Sequence, residues 1–249
     1  MLNDSLVLLL KSFNLSTMAG IYADTIKRAE EENWGYRKFL LYLCENEHQS
    51  RHDRKIHRLL SKSKLPDGKT LAALQDKLLP EKCRRMLPSL LDGSFVKRAE
   101  NVLAFGLPGR GKSHFLAALG HELIMQHQYS VLFVPTFRLI QELLVAKKNL
   151  MLDQQLKKYS HFDVIIIDDI GYIQHSRDEM EVLFTFLADR YERKSLMISS
   201  NLMFSQWDKI FKDPMTTMAA IDRLVHHSII LEFNGDSVRE KQARQKLKK

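Results

Sequence analysis

Between residues 101 and 113 the chain reads NVLAFGLPGRGKS, and no other stretch constrains its fold as tightly. A short apolar run, Val102 to Phe105, gives way to Gly106, Leu107, Pro108, Gly109, Arg110, Gly111, Lys112 and Ser113, which fit G-x-x-x-x-G-K-[ST] throughout. Glycines let the backbone bend so that successive N–H groups face inward, and a helix start adds partial positive charge; together they hold phosphate oxygens. Lys112 then reaches the β- and γ-phosphates and the Ser113 hydroxyl is offered to Mg²⁺, with His114 next in the binding stretch. Phe115, Leu116, Leu119 and Leu123 recur at helical spacing behind the loop. A strand before and an amphipathic helix after weigh against a Gly-rich turn that binds nothing. The reading is a nucleoside triphosphate site, for ATP or GTP.

The rest of the 249 residues is long enough for one large domain or two smaller ones. A net charge of +8 suits an anionic partner, although charge alone reports mainly solubility and non-specific attraction to polyanions. Two cysteines, Cys44 and Cys83, form no C-x-x-C pair and read as free thiols in a reducing compartment. Leu6–Leu10 is too short for a signal peptide's apolar core, and nothing approaches the run of about 20 apolar residues that spans a membrane. A cytoplasmic protein without a membrane partner is expected.

Two parts are expected: a small all-α domain over 1–68, and an α/β core with a parallel five-stranded sheet over 69–249 that ends in a basic tail. In the first, apolar residues recur at helical spacing, with breaks near Asn14–Ser16 and Asn33–Gly35 and with Ser16 as an N-cap. From residue 47 to 69 seven Lys/Arg face three acids, and Arg51, Arg54, Lys55 and Arg58 share one helix face. Such a face is either solvated or a phosphate-backbone contact. His48 and His52 stand at i, i+4 without a third metal ligand in sight. Pro66-Asp67-Gly68 makes the boundary turn. Beyond it come two short helices broken by Pro80 and Pro88. Then strands at 101–106, 131–134, 164–168, 196–200 and 229–233 alternate with helices at about 112–127, 137–159, 177–193 and 218–226.

The run Val164-Ile165-Ile166-Ile167-Asp168-Asp169 is a buried strand that ends in two carboxylates. Asp168 fits a Mg²⁺ shell beside Ser113, and Asp169 can orient the attacking water. Ser199-Ser200-Asn201 ends another strand in polar groups, where Asn201 can bond the γ-phosphate or the water.

In order and spacing, Gly106–Ser113, Ile165–Gly171 (IIIDDIG), Arg190–Ser195 (RYERKS), Ser199–Leu202 (SSNL) and Ala220–His227 (AIDRLVHH) resemble the IstB-type ATPases. These are AAA+ transposition helpers of bacterial insertion sequences, related to the DnaC helicase loaders. The helical start, FNLSTMAGIY and EEENWGYRKFLLYL, is similar too. The resemblance implies an AAA+ ATPase using ATP and Mg²⁺ that forms homo-oligomers with nucleotide at subunit interfaces. It also implies assembly on double-stranded DNA, largely through phosphates, and recruitment or regulation of a partner transposase. Asn201 takes the sensor 1 position and Arg223 that of the arginine finger; Arg239 is a weaker match to sensor 2. Asp168-Asp169 stands where most of these enzymes carry Asp-Glu, which implies slow or partner-stimulated hydrolysis. The chain is expected to leave no room for a separate helical lid after its last strand. A DnaC-like helicase loader is the near alternative. A metabolic kinase is disfavoured by the absence of a legible acceptor pocket, and a vestigial DNA-binding scaffold by the intact Lys112, Ser113 and Asp168.

Overall fold

Two compact units make up the computed structural model, residues 1–58 and 59–249, and it describes residues 2–74, 79–171, 176–202 and 224–234. In the first unit, α1 (Leu2–Ser12), α2 (Ser16–Glu31) and the greater part of α3 (Tyr36–Ser63) bury Met18, Tyr22 and Leu43 against Leu10, Ile21 and Phe39. Asn14 and Asn33 take positive φ in the two connections, where a short polar side chain tolerates the left-handed region.

Ser16 is not the cap of α2. Leu15 holds the N-cap position without a side-chain bond, and Glu47 of α3 reaches over instead. Its Oε2 accepts from the Thr17 and Met18 backbone N–H groups at 2.8 and 3.0 Å. Its Oε1 accepts from Arg51 Nε at 2.8 Å and from Arg54 Nη2 at 3.3 Å. Arg51 also donates to the Asn14 carbonyl at 2.6 Å, and Arg54 to Ser16 Oγ at 3.1 Å. Half of the basic face read from the sequence is therefore committed to holding α2 on α3. Lys55, Arg58 and Lys62 remain exposed along the same helix. Among the described residues no group of three or more His, Cys, Asp or Glu side chains could hold a metal ion, His48 and His52 included.

Compactness divides the units after Arg58, inside α3, whereas the sequence expectation set its domain boundary at the 66–68 turn. The reason is packing beyond Arg58: Ser63 is fully buried, and the Leu65 side chain lies against Gly120 of the second unit.

After the end of α3, that second unit continues with α4 (Glu81–Leu91) and α5 (Ser94–Lys97). Pro80 does precede a helix, as the sequence suggested, but Pro88 sits inside α4 without ending it. Burial of Cys83 and Leu90, one apolar stripe at i, i+7, holds the helix through the missing N–H. Then come β1 (Asn101–Phe105), α6 (Lys112–His127), β2 (Val131–Pro135), α7 (Thr136–Lys148), α8 (Leu152–Ser160), β3 (Val164–Ile170), α9 (Arg177–Arg190), β4 (Ser195–Ser200) and β5 (Ser228–Glu232). All strand pairs are parallel, in the order β2-β3-β4-β1-β5. Every residue of β1 is buried and β3 is buried over its first four, so the continuous apolar runs are covered on both faces.

The single helical stretch expected over 137–159 is two helices, because the chain turns at Asn149–Met151 with Leu150 at φ +56°. Helix α9 stops at Arg190, short of Arg193, because the Arg190 side chain is drawn inward. Its guanidinium donates to the carbonyls of Tyr159, Phe162, Asp163 and Ser195 at 3.1 to 3.3 Å. Burial lowers its pKa to about 10, which still leaves it charged at neutral pH. Of the helix expected near 218–226, only residues 224–226 fall within the described part.

Candidate functional site

The phosphate-type loop leaves the carboxyl end of β1, which lies between β4 and β5, and ligands of such sheets sit at the carboxyl ends of the strands. Gly106 has φ +148°, and a Cβ on it would lie 2.5 Å from the Phe233 carbonyl oxygen. Only glycine lets the chain pass that close to the segment after β5. Gly111 caps α6 in the left-handed conformation at φ +88°, with open space where a side chain would begin. That open side leaves the first turn of α6 accessible to an anion.

Lys112 is 5% exposed, yet its ammonium is fully engaged. It donates to the carbonyls of Gly106 at 2.5 Å and Leu107 at 3.0 Å, and to Asn201 Oδ1 at 2.9 Å. Asn201 Nδ2 in turn donates to Asp169 Oδ1 at 2.7 Å. One chain of contacts thus runs from the loop lysine through the end of β4 to the second acid of β3. Asp168 is held separately: Ser199 Oγ donates to its Oδ1 at 2.6 Å, and Thr136 Oγ1 donates to its main-chain carbonyl at 2.9 Å. Ser199 Oγ also accepts the Asp169 N–H at 2.8 Å. Ser113, in the first turn of α6, is half-buried beside Lys112, and the His114 ring nitrogen Nε2 lies 3.3 Å from the Thr70 carbonyl. Arg110 is turned to the Phe233 carbonyl at 3.4 Å, and Leu107 is exposed at the loop's tip.

Lys112 and Asp169, both singled out, are therefore joined through Asn201, and Asp168 precedes Asp169 on β3. Ser199 and Thr136 were not singled out as site residues. Ser199 had a signal: it begins the polar end, Ser199-Ser200-Asn201, that follows the apolar run Leu196–Ile198, and a buried polar group there needs a partner. The RYERKS block lies at the opposite, amino ends of β3 and β4, where Arg190 serves the fold. Arg223 and Arg239 lie outside the described residues, as does the basic tail. Leu224, which follows Arg223, is buried, and its carbonyl accepts from Asn101 Nδ2 at 3.4 Å and from the Ser228 hydroxyl.

The donor set fits a magnesium–triphosphate in kind: an ammonium and a helix start for the phosphates, with a hydroxyl and two carboxylates for the metal and the water. No described helix is long and apolar enough to cross a membrane.

Compared with known proteins, residues 8–246 match the family model described as IstB-like ATP binding protein. A protein of Sinorhizobium fredii named for an insertion sequence and ATP binding is 38% identical over 237 residues, which is 95% of this chain and 79% of that protein. The protein of Pseudomonas aeruginosa named for ATP binding in insertion sequence IS21 is 36% identical over 219 residues, or 88% and 82% of the two chains. Among solved structures, DnaI superposes with a TM-score of 0.57 at 19% identity, covering 69% of this chain and 96% of that one. AMPPCP-bound DnaA from Aquifex aeolicus gives 0.56 at 19% identity, covering 75% and 56%. At such identities the likeness is one of fold, and the fold is that of an AAA+ P-loop domain.

Proposed function

The chain belongs to the IstB-like ATP-binding family, and from that premise we propose that it is an ATP-hydrolysing transposition helper: it assembles on duplex DNA and recruits or regulates the transposase of its insertion sequence. The contact chain from Lys112 through Asn201 to Asp169 carries the enzymatic part of this reading. It ties the group that meets the γ-phosphate to the group that handles the water.

The residues divide the work as follows. Backbone N–H groups of 106–113 and the start of α6 bind the phosphate oxygens, and Lys112 exchanges its carbonyl partners for the β- and γ-phosphates. Ser113 and Asp168 would hold Mg²⁺, which would supply charge neutralisation for the phosphates. Asp169, steadied by Asn201, orients the attacking water and takes up its proton. An Asp reaches less far than the Glu usual here, so hydrolysis is slow until a partner or a neighbouring subunit tightens the site. Arg223 from that neighbour supplies the remaining positive charge in a homo-oligomer with nucleotide at its interfaces. The exposed Lys55, Arg58 and Lys62 contact DNA phosphates without reading sequence.

A helicase-loading role is the second reading, favoured by the shared fold with the DnaC helicase loader, TM-score 0.51 at 18% identity. The insertion-sequence names of the relatives favour transposition. The deciding measurement is ATP turnover by the wild type and Lys112→Ala, with and without duplex DNA. Wild-type turnover that rises with DNA and vanishes in Lys112→Ala is expected. Turnover untouched by the substitution removes Lys112 from the site, and stimulation by a replicative helicase with indifference to duplex DNA favours the loader.

A further inference from the structure

Two residues of β3 stand opposite one residue of β4. Ile167 pairs with Ile198, and the next pair is Ile170 with Ser200, so Asp168 and Asp169 share the single partner Ser199. This is a β-bulge. In a regular strand consecutive side chains leave on opposite faces, and the two acids would be parted by the sheet. Here both acids meet Ser199: its Oγ contacts the Asp168 carboxylate and the Asp169 N–H, and the Asp169 side chain reaches Asn201 just past the end of β4. The bulge is what brings both acids to one residue of β4.

We propose that Ser199 is the positioning residue for both acids, setting the Asp168 carboxylate and the Asp169 backbone through one hydroxyl. The proposal rests on the reading of this site as an ATPase centre. A hydroxyl has one proton and two lone pairs. Ser199 Oγ uses the proton on Asp168 Oδ1 at 2.6 Å and a lone pair on the Asp169 N–H at 2.8 Å. Asp169 needs that acceptor, because the bulge takes its N–H out of the ladder while its φ of +65° places it in the left-handed region. Asp168 needs that donor, because one bond to Oδ1 fixes the rotation of a carboxylate whose remaining lone pairs are to serve a metal ion. Ser199 itself is buried, 1% exposed, so water cannot replace the hydroxyl without opening the sheet. Ser199 touches neither nucleotide nor water in this scheme. It acts through the acids on either side of the bulge.

The test is Ser199→Ala in the full-length chain, read by four measurements. They are affinity for a fluorescent ATP analogue without metal, the Mg²⁺ half-saturation of that binding, kcat with KM, and hydrogen exchange at the Asp169 amide. Metal-free affinity should stay within about twofold, since Lys112 and its loop are intact. Mg²⁺ half-saturation should rise and kcat fall, each by about 10- to 100-fold, as when a metal ligand loses its orienting partner. The Asp169 amide should exchange faster. Unchanged Mg²⁺ half-saturation and kcat, in a preparation whose wild type hydrolyses ATP, overturns the role of Ser199 and leaves the ATPase reading standing. A parallel loss of metal-free affinity also overturns it, as general damage to the site. A wild type that binds no nucleotide takes down both.

Discussion

Glu47 offers the most direct test of the reasoning about the first unit. It is 3% exposed and serves two sets of partners with separate oxygens: the start of α2 on Oε2 and two guanidinium groups on Oε1. Glu47→Ala removes a capping acceptor from two backbone donors, a loss of about 1–2 kcal/mol by analogy with N-caps. The charge on the acceptor adds to this, since hydrogen bonds to ionised groups contribute about 1.5–3 kcal/mol. Arg51 and Arg54 are each about half exposed (50% and 54%), so their pairing adds less than about 1 kcal/mol. The expected total is about 2–4 kcal/mol. Glu47→Gln keeps one carbonyl oxygen for α2 but turns an NH₂ toward the guanidinium groups, and about 1–2 kcal/mol is expected.

Denaturant unfolding followed by Trp34 fluorescence in a Trp207→Phe background measures this in the full chain. The acid limb supplies a second check. Burial alone would raise the Glu47 pKa, but the bonds from Arg51, Met18 and Thr17 outweigh it and hold the folded value below the usual 4.5. A depressed carboxylate stabilises fully above its unfolded pKa and loses that contribution as pH falls through the folded one. The gap between wild type and Glu47→Ala should therefore be full at pH 7 and narrow below the unfolded value. A Glu47→Ala chain within about 0.5 kcal/mol of wild type at pH 7, or a gap that does not narrow in acid, refutes the capping role.

Two further outcomes follow from the same structure. Gly106→Ala forces a Cβ to 2.5 Å from the Phe233 oxygen at a φ of +148°, and backbone strain alone costs about 1–3 kcal/mol; ATP binding should fall at least about tenfold, and retention of normal affinity would show that the loop is not held by that approach. Reversing Lys55, Arg58 and Lys62 to Glu should weaken duplex binding and flatten its salt dependence by about 0.9 per lost phosphate contact, with Arg51 and Arg54 left native because they hold Glu47; an unmoved slope makes the face merely solvated.

Much of the second unit was legible because its strands are unbroken apolar runs and its helices are amphipathic, so the period of the pattern changes at each boundary. The parallel five-stranded sheet follows from that alternation. What stayed hidden depends on contacts between distant parts of the chain. Pro88 reads locally as a breaker, yet tertiary burial of Cys83 and Leu90 carries α4 through it. The turn at 149–151 contains no glycine or proline, and Leu150 in the left-handed region leaves no signal at all. Along α3 the charge run reads as one face, but a single buried acid, Glu47, claims two of its arginines.

The candidate site shows the same divide more sharply. Lys112, Asp169 and Asn201 were nameable because each chemistry has a residue type and a place at a strand's carboxyl end. Their meeting needs something spacing cannot show. The pair Asp168-Asp169 at the end of a strand looks like two acids on opposite faces, and period two would make only one of them useful. The bulge removes that restriction, and it exists because β4 answers two residues with one. Asp169 then reaches Asn201 at 2.7 Å from a backbone turned to φ +65°. The residue types name the chemistry, but it is the backbone at the bulge that brings the Asp169 carboxylate round to its partner.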